Sequence, residues 1–207
     1  PRDYKALERA HNRHKGERVF LIGSGPSLAR LAPDRMHKLG HEYTIAVNFA
    51  LRTIGYEFLP TYSVLGEIDW LTAAETMIYR AEKYHNPAKT ERWVFNQEEP
   101  VQPNATEWNW VYRDVNQRLV EGTPIGLDDE LAYVGQGGCA MFNAALPLAV
   151  WMGFNRIYLV GSEMTETGNS YAQGQHRADN VVYAREAGKY AANLLAEHGV
   201  LLADCSG

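Results

Sequence analysis

Short apolar runs, separated by stretches of helical period, dominate the chain. Val19–Ile22 contains no polar residue before it breaks at Gly23-Ser24-Gly25. A strand without polar alternation is covered on both faces, as in a parallel sheet. Similar runs over 43–47, 61–65, 92–95, 156–160 and 200–203 predict five further strands. Helical spacing fills the intervals. Tyr4, Leu7 and Ala10 give 2–15 an apolar stripe, and Asp69 is a suitable N-cap for a helix over 70–84. The stretch 139–152 is apolar enough for a buried helix despite Pro147, and 181–198 ends at Gly199, a helix-stop glycine. Pro26 sits where a first helical residue would, because its missing N–H costs nothing there.

Strands alternating with helices, joined by connections too long for hairpins, predict an α/β fold. The expected architecture is Rossmann-like and doubly wound, a mostly parallel sheet with helices on both faces, forming one domain over 1–207. One segment breaks the pattern. From 98 to 135, prolines, glycines and aromatics such as Trp108, Trp110 and Tyr112 follow no sustained period. That segment is read as an irregular, lid-like insertion on the acceptor side.

Composition narrows the classes of function. An apolar share of 45% with 22% charged residues is ordinary for a globular chain, so disorder is not the reading. A net charge of −5 argues against nucleic acid as a partner, since phosphate backbones attract basic surfaces. The apolar run over 144–154 is too short to span a membrane and contains Pro147, so no span is expected, and a cytoplasmic location is. Cys139 and Cys205 are read as free, buried thiols in a reducing compartment. The two cysteines form no Cys-x-x-Cys pair to join the seven histidines, so no structural zinc is expected.

In an open parallel sheet, ligands bind beyond the carboxyl ends of the strands, where strand order reverses. The residues that follow the strands are Gly23, Ser24, Gly25, Pro26 and Ser27, then Asn48, then Glu67 and Asp69, then Gly161, Ser162 and Glu163. Gly137 and Gly138, opening the buried helix, are expected to join them. The Gly23–Ser27 turn is either a phosphate cradle, with backbone N–H groups and two hydroxyls as donors, or a tight strand-to-helix turn and nothing more. The third glycine of the dinucleotide fingerprint is absent, Leu28 standing there, and no Walker-type Gly-Lys-Ser/Thr occurs. Asn48 is a ligand contact or a structural cap. Glu67, Asp69 and Glu163 could hold Mg²⁺, act as a base or bind ribose hydroxyls, or else serve as caps and solvated acids. His176, in the polar stretch 169–179, is a general base or a surface histidine.

Taken together, Val19–Leu28, Ala46-Val47-Asn48, Gly137-Gly138 with its apolar helix, Ile157–Gly161, Ser170-Tyr171 with His176, and His198–Asp204 resemble a known superfamily. It comprises the archaeal 6-hydroxymethylpterin diphosphokinase-like proteins and the Campylobacter-type bacterial sialyltransferases. The resemblance covers most of 17–207, outside 98–135. On the sialyltransferase side it implies that Gly25, Pro26, Ser27 and Asn48 bind the CMP of a donor sugar. Gly137, Gly138, Gly161 and Glu163 would contact nucleotide or sugar, and Tyr171 and His176 would serve catalysis. Thr165 stands near the place of that family's second tyrosine. On the diphosphokinase side it implies that Glu67 and Asp69 hold Mg²⁺-ATP, with Trp70 where that family has glycine and Asn48-Phe49-Ala50 in place of Asp-Gly-Ala.

Three expectations follow. The first is a glycosyltransferase of surface-glycan synthesis using a CMP-type sugar donor, with a small-molecule or glycan acceptor and no tightly bound cofactor. The second is a Mg²⁺-ATP-dependent pterin-type diphosphokinase. The third is a non-catalytic nucleotide-binding domain of a larger polysaccharide-related protein. Homo-oligomerisation is left open.

Overall fold

The computed structural model describes residues 4–66, 71–96, 108–112, 140–163 and 181–206. Its centre is a single seven-stranded sheet. In chain order the strands are β1 (Arg18–Ile22), β2 (Thr44–Val47), β3 (Tyr62–Leu65), β4 (Glu91–Asn96), β5 (Trp108–Tyr112), β6 (Arg156–Val160) and β7 (Leu201–Asp204). In space they run β5-β4-β3-β2-β1-β6-β7, and every neighbouring pair is parallel. The α/β, doubly wound reading therefore holds, and the sheet is wholly parallel.

Alternation along each strand sends side chains to two cores, one on either face. Val19 and Leu21, Ile45 and Val47, Trp93 and Phe95, and Ile157 and Leu159 join a cluster with α1 (Lys5–Ala10) and the helices that precede β6 and β7. Ile22, Ala46, Leu65, Val94 and Val160 face the other way. They pack on α2 (Pro26–Ala29), α3 (Pro33–Leu39), α4 (Leu51–Ile54) and α5 (Leu71–Tyr84). Helices that follow β1, β2 and β3 thus cover one face, and helices that lead into β6 and β7 cover the other. That segregation is what right-handed crossovers require when winding proceeds first to one side of β1 and then to the other.

Several expectations need correction. The first helix is only six residues long, because Asn12 adopts a left-handed conformation (φ 54°) just beyond it. The apolar stretch read as one helix opens with a π-helical turn, Met141–Ala145, which runs into α6 (Leu146–Trp151). Pro147, lacking an N–H, sits where the π-helical turn gives way to α6. Part of the segment read as irregular is β5, an edge strand paired with β4 from Arg92↔Trp108 to Asn96↔Tyr112. Trp108 and Val111 are buried there, one on each core. The remainder of 98–135 lies outside the described residues. Cys205 is an exposed free thiol rather than a buried one, since it follows the end of edge strand β7. The long helix over 181–198 is α7 (Val181–Glu197), with Gly199 beyond it at φ 72°. Among the described residues, no helix is long and apolar enough to cross a membrane.

Candidate functional site

Strand order fixes where a ligand crevice can open. From β1 the chain winds outward through β2, β3, β4 and β5, then returns to add β6 and β7 on the opposite side of β1. The reversal falls between β1 and β6, and the loops leaving those two strands are Gly23–Ser27 and Gly161–Glu163. Two of the sequence-predicted turns, far apart in the chain, are therefore brought to the switch point.

They meet backbone to backbone. The N–H of Gly23 donates to the Val160 carbonyl at 2.8 Å, and that of Gly25 to the Gly161 carbonyl at 2.8 Å. A Cβ at Gly23 would collide with the Gly161 carbonyl oxygen. At Gly25 it would collide with Oε2 of Glu163 and come within 2.6 Å of the Gly161 carbonyl oxygen. Gly161 itself needs glycine, since its φ is 66° and a Cβ there would lie 2.8 Å from the Gly23 carbonyl oxygen. The glycines are thus explained first by the contact between the two turns.

Glu163 crosses the junction. The N–H of Ser27, in the first turn of α2, donates to Glu163 Oε1. The glutamate side chain is only 12% exposed, and Arg30 Nη2 stands 3.9 Å from the same oxygen. The donor expected to meet a phosphate is therefore taken by a carboxylate of the chain itself. A negative group at the start of α2 is electrostatically sensible, and here the protein supplies one.

Among the described residues, three buried polar atoms at this junction have no hydrogen-bond partner: Ser27 Oγ, Ser162 Oγ and Glu163 Oε2. Ser162 Oγ would lie 3.0 Å from a Cβ on Gly23, and Glu163 Oε2 lies over Gly25, so both border the β1 turn. Each orphaned group costs about 1–3 kcal/mol, more for a charged one, unless something bonds it. Two hydroxyls and a carboxylate oxygen form a set suited to a hydroxyl-rich ligand. The backbone beneath is held firmly: Ser162 N–H donates to Ser206 Oγ at 2.8 Å, and Ser206 N–H to Asp204 Oδ1 at 2.9 Å.

The other predicted residues divide into two groups. Asn48, in a left-handed conformation (φ 49°), accepts the Gly66 N–H on its Oδ1 at 3.0 Å, tying the end of β2 to the end of β3. Its structural role is clear, and asparagine tolerates that backbone better than most residues. Ser24 and Pro26 are part-exposed in the β1 turn, Pro26 opening α2. Gly137, Gly138, Tyr171, His176, Glu67 and Asp69 lie outside the described residues. Among the described residues, no group of three or more His, Cys, Asp or Glu could hold a metal ion.

Sequence reasoning missed a neighbouring feature. A cleft of ≈ 380 Å³ opens between α2–α3 and the ends of β6 and β7, lined in part by Ser27, Arg30, Arg35, Cys205 and Ser206. The helical step from Ser27 to Arg30 was legible, but the far wall comes from the tail after β7, which no local pattern places there. Neither a scan against protein-family models nor a search of curated proteins returns a match for this chain.

Proposed function

We propose that this chain is a nucleotide-dependent transferase, a glycosyltransferase that holds a nucleotide sugar across the β1–β6 switch point. The observation that carries this reading is the trio of orphaned polar atoms, Ser27 Oγ, Ser162 Oγ and Glu163 Oε2, at the reversal of strand order. Open parallel sheets bind nucleotides at that location. A carboxylate oxygen facing a glycine turn suits ribose or sugar hydroxyls, which donate to it. In this reading Glu163 orients the donor through Oε2 while Oε1 stays on the Ser27 amide.

Transfer moves the anomeric carbon from the nucleotide phosphate to an acceptor hydroxyl. The bond to the leaving phosphate breaks, the new glycosidic bond forms, and the acceptor proton passes to a base. The sequence offers His176 for that base and Tyr171, five positions earlier, as a second catalytic group. Donor and acceptor are small molecules or glycans, and the setting is cytoplasmic surface-glycan synthesis.

A thermal-shift screen of CMP, CDP, UDP, GDP and ATP, each with and without Mg²⁺, tests the proposal. Stabilisation by one nucleotide without Mg²⁺ is expected, about 2.7 kcal/mol at a ligand concentration of 100 Kd. Stabilisation by ATP only when Mg²⁺ is present would favour the diphosphokinase instead. Binding without turnover of any sugar conjugate would leave a nucleotide-binding domain. No shift with any of them would remove the nucleotide reading.

A further inference from the structure

The cleft beside the switch point has a charge pattern at odds with the rest of an acidic chain. Among the described residues, Arg30 and Arg35 are the charged ones in its lining, and no carboxylate joins them. Arg35 has no ion-pair partner among the described residues, and Arg30 has only the 3.9 Å approach to Glu163. Ser27 Oγ is buried without a partner, and Ser206 is buried beside it. Partial desolvation, and secondarily the charge of Asp204, raise the pKa of the Cys205 thiol, so at neutral pH it stays protonated and adds no negative charge. Leu31, Ala32 and Val160 complete the lining, and the two arginine side chains remain open to an incoming anion.

We propose that this cleft binds a phosphate group, with the guanidinium groups of Arg30 and Arg35 as a two-armed clamp and the Ser27 hydroxyl as a third donor. Planar guanidinium donors match the spacing of phosphate oxygens better than any other side chain. The cleft holds the phosphate of the donor nucleotide, whose hydroxyls meet Glu163; this assignment of source rests on the function proposed above. Phosphate and hydroxyl recognition are then divided between the two sides of α2. That division accounts for the start of α2 being occupied by a carboxylate.

Inorganic pyrophosphate is the probe, titrated calorimetrically into the intact chain and into Arg35→Ala, Arg35→Lys and Arg30→Ala/Arg35→Ala. Both arginines are exposed, so the variants are expected to fold, and their circular dichroism and urea midpoints check this. Affinity should fall about tenfold or more per arginine removed, with Arg35→Lys recovering only part of it. Bound pyrophosphate should also slow alkylation of the exposed Cys205 thiol in the parent and leave the double variant unprotected. Equal pyrophosphate affinity in parent and double variant, or no binding to the parent, overturns the clamp. The nucleotide found by thermal shift separates the two claims. If it binds the double variant as tightly as the parent, the clamp fails while the nucleotide reading stands. Pyrophosphate binding that depends on both arginines, with no nucleotide bound, upholds the clamp and removes the nucleotide.

Discussion

Glu163 accepts the backbone N–H of Ser27 although 136 positions separate them in the sequence. The bond joins the turn after β6 to the first turn of α2 and closes the switch point of the sheet. It makes Glu163 both a structural tie and the owner of a buried oxygen, Oε2, that has no donor among the described residues.

The tie can be separated from the ligand role by substitution. Glu163→Ala leaves the Ser27 amide without its acceptor and should cost about 1–3 kcal/mol in urea unfolding. Glu163→Gln keeps an acceptor oxygen for that amide and should unfold closer to the parent, yet bind the donor nucleotide more weakly. Equal unfolding midpoints for parent and Glu163→Ala would show that the bond contributes nothing.

The glycines give a graded test. Gly25→Ala places a methyl against the Gly161 carbonyl, 2.6 Å away, and against the Glu163 carboxylate, so folding itself should suffer by more than about 2 kcal/mol. Gly199→Ala meets nothing within 4 Å, and only its left-handed backbone (φ 72°) resists, at about 1 kcal/mol. Thermal unfolding of both variants should show that order. The reverse order would mean the turns are not in the contact described.

Acid sensitivity should come from the opposite end of the sheet. His14 is buried, its ring stacked on Phe154 at 4.6 Å, with Nε2 2.6 Å from the Tyr62 hydroxyl. Arg13 donates to that hydroxyl oxygen at 3.4 Å, which directs the phenol proton towards a neutral His14. Burial first, and the charge of Arg13 second, lower the His14 pKa below the ordinary 6.5, against weaker opposition from Glu17 and Glu91. The unfolded chain therefore binds a proton below pH 6.5 that the folded chain resists. This contribution to stability is intact above pH 6.5 and is lost as pH falls towards the lowered folded value, at no more than about 1.4 kcal/mol per pH unit. His14→Gln should flatten the fall in urea midpoint between pH 7.5 and 5. Parallel curves for the two proteins would rule His14 out as its source.

His176→Ala addresses the base. Donor binding should persist, with turnover reduced about 10²- to 10⁴-fold and the acid limb of the pH–rate profile gone. Full turnover across pH 5 to 9 would move the base elsewhere.

The strands were legible because both faces of this sheet are covered, which writes runs such as Val19–Ile22 as continuous apolar segments. β5 was not, because Trp108-Asn109-Trp110 sits among prolines and its pairing to Arg92–Asn96 is long-range. The short helices α3 and α4 carry too few residues for a period. Strand ends marked candidate residues, but which ends meet was hidden: nothing local to Val160 says that it lies beside Ile22 rather than at an edge. The same long-range step concealed the Ser27–Glu163 bond and the arginine cleft, whose far wall is Cys205 and Ser206. Asn48 was read as a ligand contact or a structural cap, and its left-handed backbone and its bond to Gly66 became visible only once β2 and β3 were side by side.

The most direct test of the account is to map a bound nucleotide onto the backbone. The uniformly ¹⁵N-labelled chain, titrated with the nucleotide that raises its melting temperature most, should show its largest amide shifts at Gly23, Gly25, Ser27, Gly161, Ser162 and Glu163. Saturable shifts confined to those two turns, α2 and the adjoining arginine cleft would uphold a nucleotide site at the β1–β6 switch point. Shifts centred elsewhere, or none with any nucleotide at millimolar concentration, would contradict it.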